Sequence, residues 1–203
     1  MIDLVCLVAD KNMEAVVGAV LGRHQALGTR PIQSTVIVHP QRDSACYHDP
    51  TTLLRAHLGT AQHALVVLDQ AWEGAPDLPT AQLEANVDRD LQQLGADWAK
   101  AIVIEPELEV WLFRRSPRLD DALGWRDRQP GLQEQLANTG LWPLDASKPR
   151  DPKRAIEWAL REARRPRSSS IYREIAKTVG LKDCVDPSFL RFQSTLRGWF
   201  PTH

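Results

Sequence analysis

What this chain has little of narrows it first. Its 203 residues include three cysteines, Cys6, Cys46 and Cys184. An odd, widely spaced set offers no disulfide framework and fits a reducing compartment, so a cytoplasmic protein is expected. There is no CxxC pair and no HxxxH spacing, so nothing in the spacing supports a zinc site. No apolar run approaches the roughly 18 residues that a membrane-spanning helix needs. The opening MIDLVCLVAD has no basic leader and no small-residue cleavage site, and reads as a first strand. P-loop, GxGxxG, GxSxG and HExxH motifs are all missing, so kinase, dinucleotide, serine-hydrolase and zincin chemistry has no motif to stand on. Internal repeats and low-complexity tracts are missing too.

What is there fits a globular domain. Hydrophobic residues make up 43% and charged residues 25%, so a folded core is expected and not a disordered chain. The length supports one core with a small appended unit. The net charge of −1 conceals a split. Residues 1–110 carry 7 Lys and Arg against 15 Asp and Glu, whereas residues 111–203 carry 18 against 11. An acidic half beside a basic half suits a metal site next to a phosphate-binding surface, or two halves that attract each other.

Strand and helix signals alternate through the first half. IDLVCLVA, STVIVHP, HALVVLD and AIVIE read as strands. MEAVVGAVLGRHQAL, TTLLRAHLG and TAQLEANVDRDLQQLGADWAK carry helical spacing, and Pro106 is placed to open a further helix, PELEVWLFRR. QRDSACYHDP and QAWEGAPDLP read as loops. Beyond them PGLQEQLANTG, DPKRAIEWALREARR, SSSIYREIAKTVGL and DPSFLRFQSTLRGWF read as helices. The expected fold is α/β: a mainly parallel sheet of about four strands flanked by helices, over 1–115, with a helical extension packed on it over 116–203.

Ligands of such sheets bind beyond the carboxyl ends of the strands. Asp10, Asp69 and Glu105 stand at three of those ends. Glu14 and Glu109 lie one helical turn further on, and Glu73 follows Asp69 in its loop. Hard cations such as Mg²⁺ or Mn²⁺ take carboxylate oxygens of this kind. The bland reading is that these acids cap helix N-termini. In HPQRDSACYHDP, Arg42 is suited to a phosphate and His39 to a proton or a metal, unless the segment is only a turn-rich loop. Lys148, Arg150, Lys153 and Arg154 gather at a helix start that itself favours anions, and Arg164, Arg165 and Arg167 precede the next helix. They form a phosphate track for DNA or RNA, or merely a solvated face. Trp72, beside Asp69, is placed to stack on a base.

Taken in order, LVADKNME, HPQRDSACYHDP, VVLDQAWEG, EPELEVWLF, KPRDPKRAIEWALRE, PRSSSIYREIA and DPSFLRFQSTLRGWF resemble bacterial Toprim-like proteins found in phage-defence gene clusters. The similarity is to the methylation-associated defence type, and more distantly to the overcoming-lysogenization-defect nucleases. The resemblance implies a Mg- or Mn-dependent nuclease working with other defence proteins. It implies metal ligands among Asp10, Glu14, Asp69 and Glu109, with Asp69, Glu14, Glu105 and Lys153 carrying the chemistry; Glu73 is a further candidate ligand, placed to replace an acid missing at position 71. Arg42, Lys148, Arg150 and Arg154 would hold phosphates. The chain departs from the family at Ala71, where the second acid of a DxD pair is expected. Two-metal hydrolysis needs carboxylates that hold ions roughly 4 Å apart. A catalytically inactive module that binds protein or nucleic acid is therefore the alternative, and a nucleotide-processing enzyme with a small substrate is a third.

Overall fold

The computed structural model describes residues 1–114, 116–181 and 184–202. The expected boundary at 115/116 falls on Arg115, outside the described residues.

Four strands form one sheet: β1 (Ile2–Val8), β2 (Ser34–Val38), β3 (Ala61–Asp69) and β4 (Ala99–Ile104). Their order is β2-β1-β3-β4 and every neighbouring pair is parallel. The α/β expectation therefore holds, with helices on both faces and through the C-terminal half. The run Ala64–Leu68 has no exposed surface, as expected of a central strand covered on both faces.

The helices follow from capping chemistry and apolar stripes. Asp10 caps α1 (Lys11–Leu21) through the Met13 N–H at 2.8 Å. A short α2 (His24–Leu27) ends at Gly28, whose φ of 73° is the left-handed conformation that closes a helix. The segment QRDSACYHDP, expected as a loop, is instead largely helical: α3 (Arg42–His48) buries Ala45, Cys46 and Tyr47. Three adjacent apolar side chains outweighed its polar composition. Asp49 caps α4 (Pro50–Leu54) through the Thr52 N–H. After the loop 70–79 comes α5 (Thr80–Leu91), seated by Leu83, Val87 and Leu91.

The right-handed crossover rule puts α1 on one face and α3, α4 and α5 on the other, because β1 crosses to β2 in one direction and β3 to β4 in the opposite one. The packing agrees: α3, α4 and α5 touch one another. In the C-terminal half, α6 (Pro117–Leu123) and α7 (Leu132–Asn138) lead to α8 (Pro152–Glu162), α9 (Ser169–Thr178) and α10 (Pro187–Trp199). Helix α9 lies along α1, and α10 meets β4 and α2, so the half expected as an extension shares the sheet's core. No described helix is long and apolar enough to cross a membrane.

Side chains close the outer edge of β4. The Ala101 N–H donates to Asp88 at 2.7 Å and the Val103 N–H to Glu84 at 2.9 Å, while Arg191 donates to the Val103 carbonyl. Capping the edge this way removes a template for pairing with another strand.

Candidate functional site

With this strand order the chain turns away from β1 and from β3 in opposite directions, leaving a crevice beyond their carboxyl ends. Asp69 closes β3 there. Its backbone N–H donates to Asp43 Oδ1 at 2.9 Å, which ties α3 to the strand end. Its own Oδ1 accepts the Leu108 N–H at 2.8 Å, which anchors the chain after β4. That chain is not the helix expected from Pro106. Glu107 is extended, with φ −153° and ψ 161°, and only a 3-10 turn over Leu108–Trp111 follows. A continuous helix would have stacked Glu109 over Glu105. The extended residue brings in Glu107 and Glu109 instead.

Glu109 is 3% exposed and accepts the Tyr172 hydroxyl at 2.7 Å. Glu107 accepts from Lys153 Nζ at 2.7 Å. Arg167 stands 3.6 Å from Glu109, pairs with Glu157, and lies over the Tyr172 ring. The crevice therefore holds Asp43, Asp69, Glu107 and Glu109, with Lys153 and Arg167 supplied by the basic half. The charge split has its structural meaning here. Lys153–Glu107, Arg167–Glu109 and Arg191–Glu84 all join the two halves.

The electrostatics show negative charge in excess. Burial, then the charges of Asp43, Glu109 and Glu107, push the Asp69 carboxyl well above the usual aspartate range. Burial raises Asp43, with Asp10 adding to it, and burial also raises Glu109 against the pull of the Tyr172 hydroxyl. Burial disfavours the charge on Lys153, but Glu107, Glu109 and Asp69 outweigh it and hold the ammonium above its ordinary value.

The remaining expected residues are distributed as follows. Asp10 caps α1 and acts on Asp43 through its charge. Glu14 pairs with Lys11 on the first turn of α1. Glu73 is exposed on the loop 70–79. Glu105 is exposed and accepts from Thr80 Oγ1, serving the start of α5. Lys148 donates to the Val110 carbonyl at 2.7 Å and stands 3.5 Å from Asp186, so it ties backbone together. Arg150 and Arg154 are exposed around the start of α8 and have no ion pair among the described residues. Arg165 donates to the carbonyls of Asp121 and Ala122. Trp72 is half-buried against Tyr47, so it is not a free stacking platform.

The expected ligand set Asp10, Glu14, Asp69, Glu73 and Glu109 is not gathered at one point. Among the described residues no three acidic, histidine or cysteine side chains are placed to hold an ion. The chemistry of the crevice nevertheless fits a hard cation. Its donors are carboxylate oxygens under mutual repulsion, and Mg²⁺ commonly binds through one or two carboxylates with substrate phosphates and water completing the shell. Asp43 and Glu107 are the members of the cluster that the sequence reading did not assign to the site. The alternation of acids at 105, 107 and 109 was a strand-like signal for Glu107. Asp43 had only its place near a strand end.

Comparison with protein-family models, with curated proteins and with solved structures gives no match for this chain.

Proposed function

We propose that the crevice is a metal-dependent phosphodiester-cleaving centre acting on nucleic acid, of the Toprim-like type. One observation carries this: Asp69 ends the central strand under the charge of three other carboxylates, with a lysine from the basic half set into the same cluster. Each of those acids also carries a contact of its own, Asp43 to the Asp69 N–H, Glu107 to Lys153 and Glu109 to Tyr172, so the proposal rests on their gathering beside Asp69. A bound Mg²⁺ or Mn²⁺ would neutralise charge on the phosphate and lower the pKa of water. Asp69 and Asp43 are the residues to hold it, aided by Glu107 once Lys153 turns to the substrate. Lys153 would bind a non-bridging phosphate oxygen and stand near the leaving oxygen as proton donor. Tyr172 and Arg167 keep Glu109 in one orientation. Hydrolysis would join the water oxygen to phosphorus and break the P–O ester bond. Participation in phage defence, with other defence proteins as partners, rests on the sequence resemblance.

A specific observation favours the second reading, a binding module without catalysis. Position 71 is alanine, and its N–H is committed to the Pro106 carbonyl at 3.0 Å. Single- and double-stranded DNA and RNA oligonucleotides incubated with Mg²⁺ or Mn²⁺ separate the two. Metal-dependent cleavage by the wild type, lost in Asp69→Asn and Lys153→Met, is expected. Oligonucleotide binding without cleavage of any of these substrates would leave the binding module in its place.

A further inference from the structure

Beside the acid cluster, a second cleft of about 420 Å³ opens beyond the ends of β1 and β2. Asp10, Lys11 and Asn12 line it from the start of α1, His39 and Arg42 from the β2–α3 turn, and Arg167 from the segment before α9. Three separate stretches of chain thus bring cations to one place.

His39 is 6% exposed, and its Nδ1 accepts the Gln41 N–H at 3.2 Å. That bond leaves the ring proton on Nε2, which has no protein acceptor among the described residues. Burial holds this imidazole below its ordinary value, so near neutral pH it is an uncharged donor facing the cleft. Arg42 has no ion pair among the described residues, and its φ of 58° is a left-handed conformation costly for arginine. Arg42 is exposed and lines the cleft, so its guanidinium is available to a ligand there. Arg167 both lines this cleft and stands 3.6 Å from Glu109, so the cleft and the acid cluster share one guanidinium. Among the described residues Asp10 is the single acid lining the cleft, and one of its oxygens is already engaged by the Met13 N–H.

We infer that this cleft is a phosphate subsite. His39 Nε2, Arg42 and Arg167 donate to the oxygens of a phosphate group adjacent to the one at the acid cluster. The assignment of that phosphate to a nucleic-acid strand rests on the proposed phosphodiester chemistry; the anion site itself does not.

The test uses the metal-free full chain and inorganic phosphate, followed by calorimetry. Saturable binding at millimolar phosphate is expected, weakened about tenfold or more in Arg42→Asn by loss of a charge-assisted fork. Asparagine tolerates the left-handed backbone and Arg42 is exposed, so the fold is not at risk. Asp69→Asn should leave phosphate binding intact, so a failed metal site would not be mistaken for a failed anion site. Absence of binding, or equal binding by Arg42→Asn, overturns the subsite. A single-stranded oligonucleotide bound without metal and displaced by phosphate would place a strand phosphate there. Oligonucleotide binding indifferent to both phosphate and Arg42→Asn would overturn that assignment.

Discussion

Asp69→Asn should stabilise the metal-free protein while destroying its affinity for metal. The substitution keeps an oxygen for the Leu108 N–H at 2.8 Å and removes only the charge. The carboxylate it replaces is desolvated and faces Asp43, Glu109 and Glu107. The new amide would find acceptors among those same acids. Relieving a desolvated charge with incomplete hydrogen bonding is worth about 2 kcal/mol. For a domain of this size each kcal/mol moves Tm by about 2–4 °C, so a rise of roughly 4–8 °C is expected at pH 7. The pH dependence has a definite sign. Asp69 in the fold binds its proton more tightly than in the unfolded chain, so wild-type stability falls as pH rises from about 4, the unfolded aspartate value, through the raised folded value. The advantage of the variant should therefore vanish below about pH 4, where both states are protonated. Millimolar Mn²⁺ should reverse the order, since a ligand at 100 times its Kd adds about 2.7 kcal/mol to the wild type alone. Thermal denaturation from pH 3 to 8, with and without Mn²⁺, reads all of this. A variant that melts below the wild type at pH 7, or whose gain is unchanged by pH, would refute the reasoning.

Tyr172→Phe removes the 2.7 Å donor to buried Glu109 and should cost about 1.5–3 kcal/mol in urea unfolding. Phe192→Ala, in the fully buried contact of α10 with Trp111, should cost about 3–5 kcal/mol, read by the same unfolding curves. Asp186→Ala strips α10 of a cap that accepts from Ser188 N, Ser188 Oγ and Phe189 N, and should cost about 1–2 kcal/mol. His63 is stacked on Trp199 at 4.4 Å, and burial holds its ring below the ordinary histidine value. Its contribution is therefore present above about pH 6.5 and is lost as pH falls through the lower folded value. His63→Gln should flatten that part of the stability profile measured by chemical denaturation.

Much of the architecture was legible because each strand is a short apolar run that ends at an acid or a proline. The sheet order followed from neither, but the alternation of strand and helix restricted it to a parallel arrangement with a crevice at the carboxyl ends. Asp69 was visible because it ends the apolar run of the third strand. Lys153 was visible because Asp151-Pro152 announces a helix start. Its partner Glu107 lies 46 residues away, a pairing no local pattern contains. Glu107 was missed for a second reason: a proline followed by alternating acids looked like a helix opening, whereas the Asp69 side chain holds that backbone extended ahead of a 3-10 turn. Asp43 was given no part in the site, since α3 is polar except for the three residues it buries and its segment read as a loop. The basic residues separated only in three dimensions. Lys148 and Arg165 serve backbone carbonyls, while Arg42 and Arg167 face a cleft.

Calorimetric titration of the metal-free protein with Mn²⁺, in parallel with Asp69→Asn and Asp43→Asn, tests the central claim most directly. Saturable binding by the wild type, abolished by the first substitution and weakened by the second, is the expected result. Titrations that are flat for the wild type even in the presence of a phosphorothioate oligonucleotide would contradict it, as would binding that survives both substitutions.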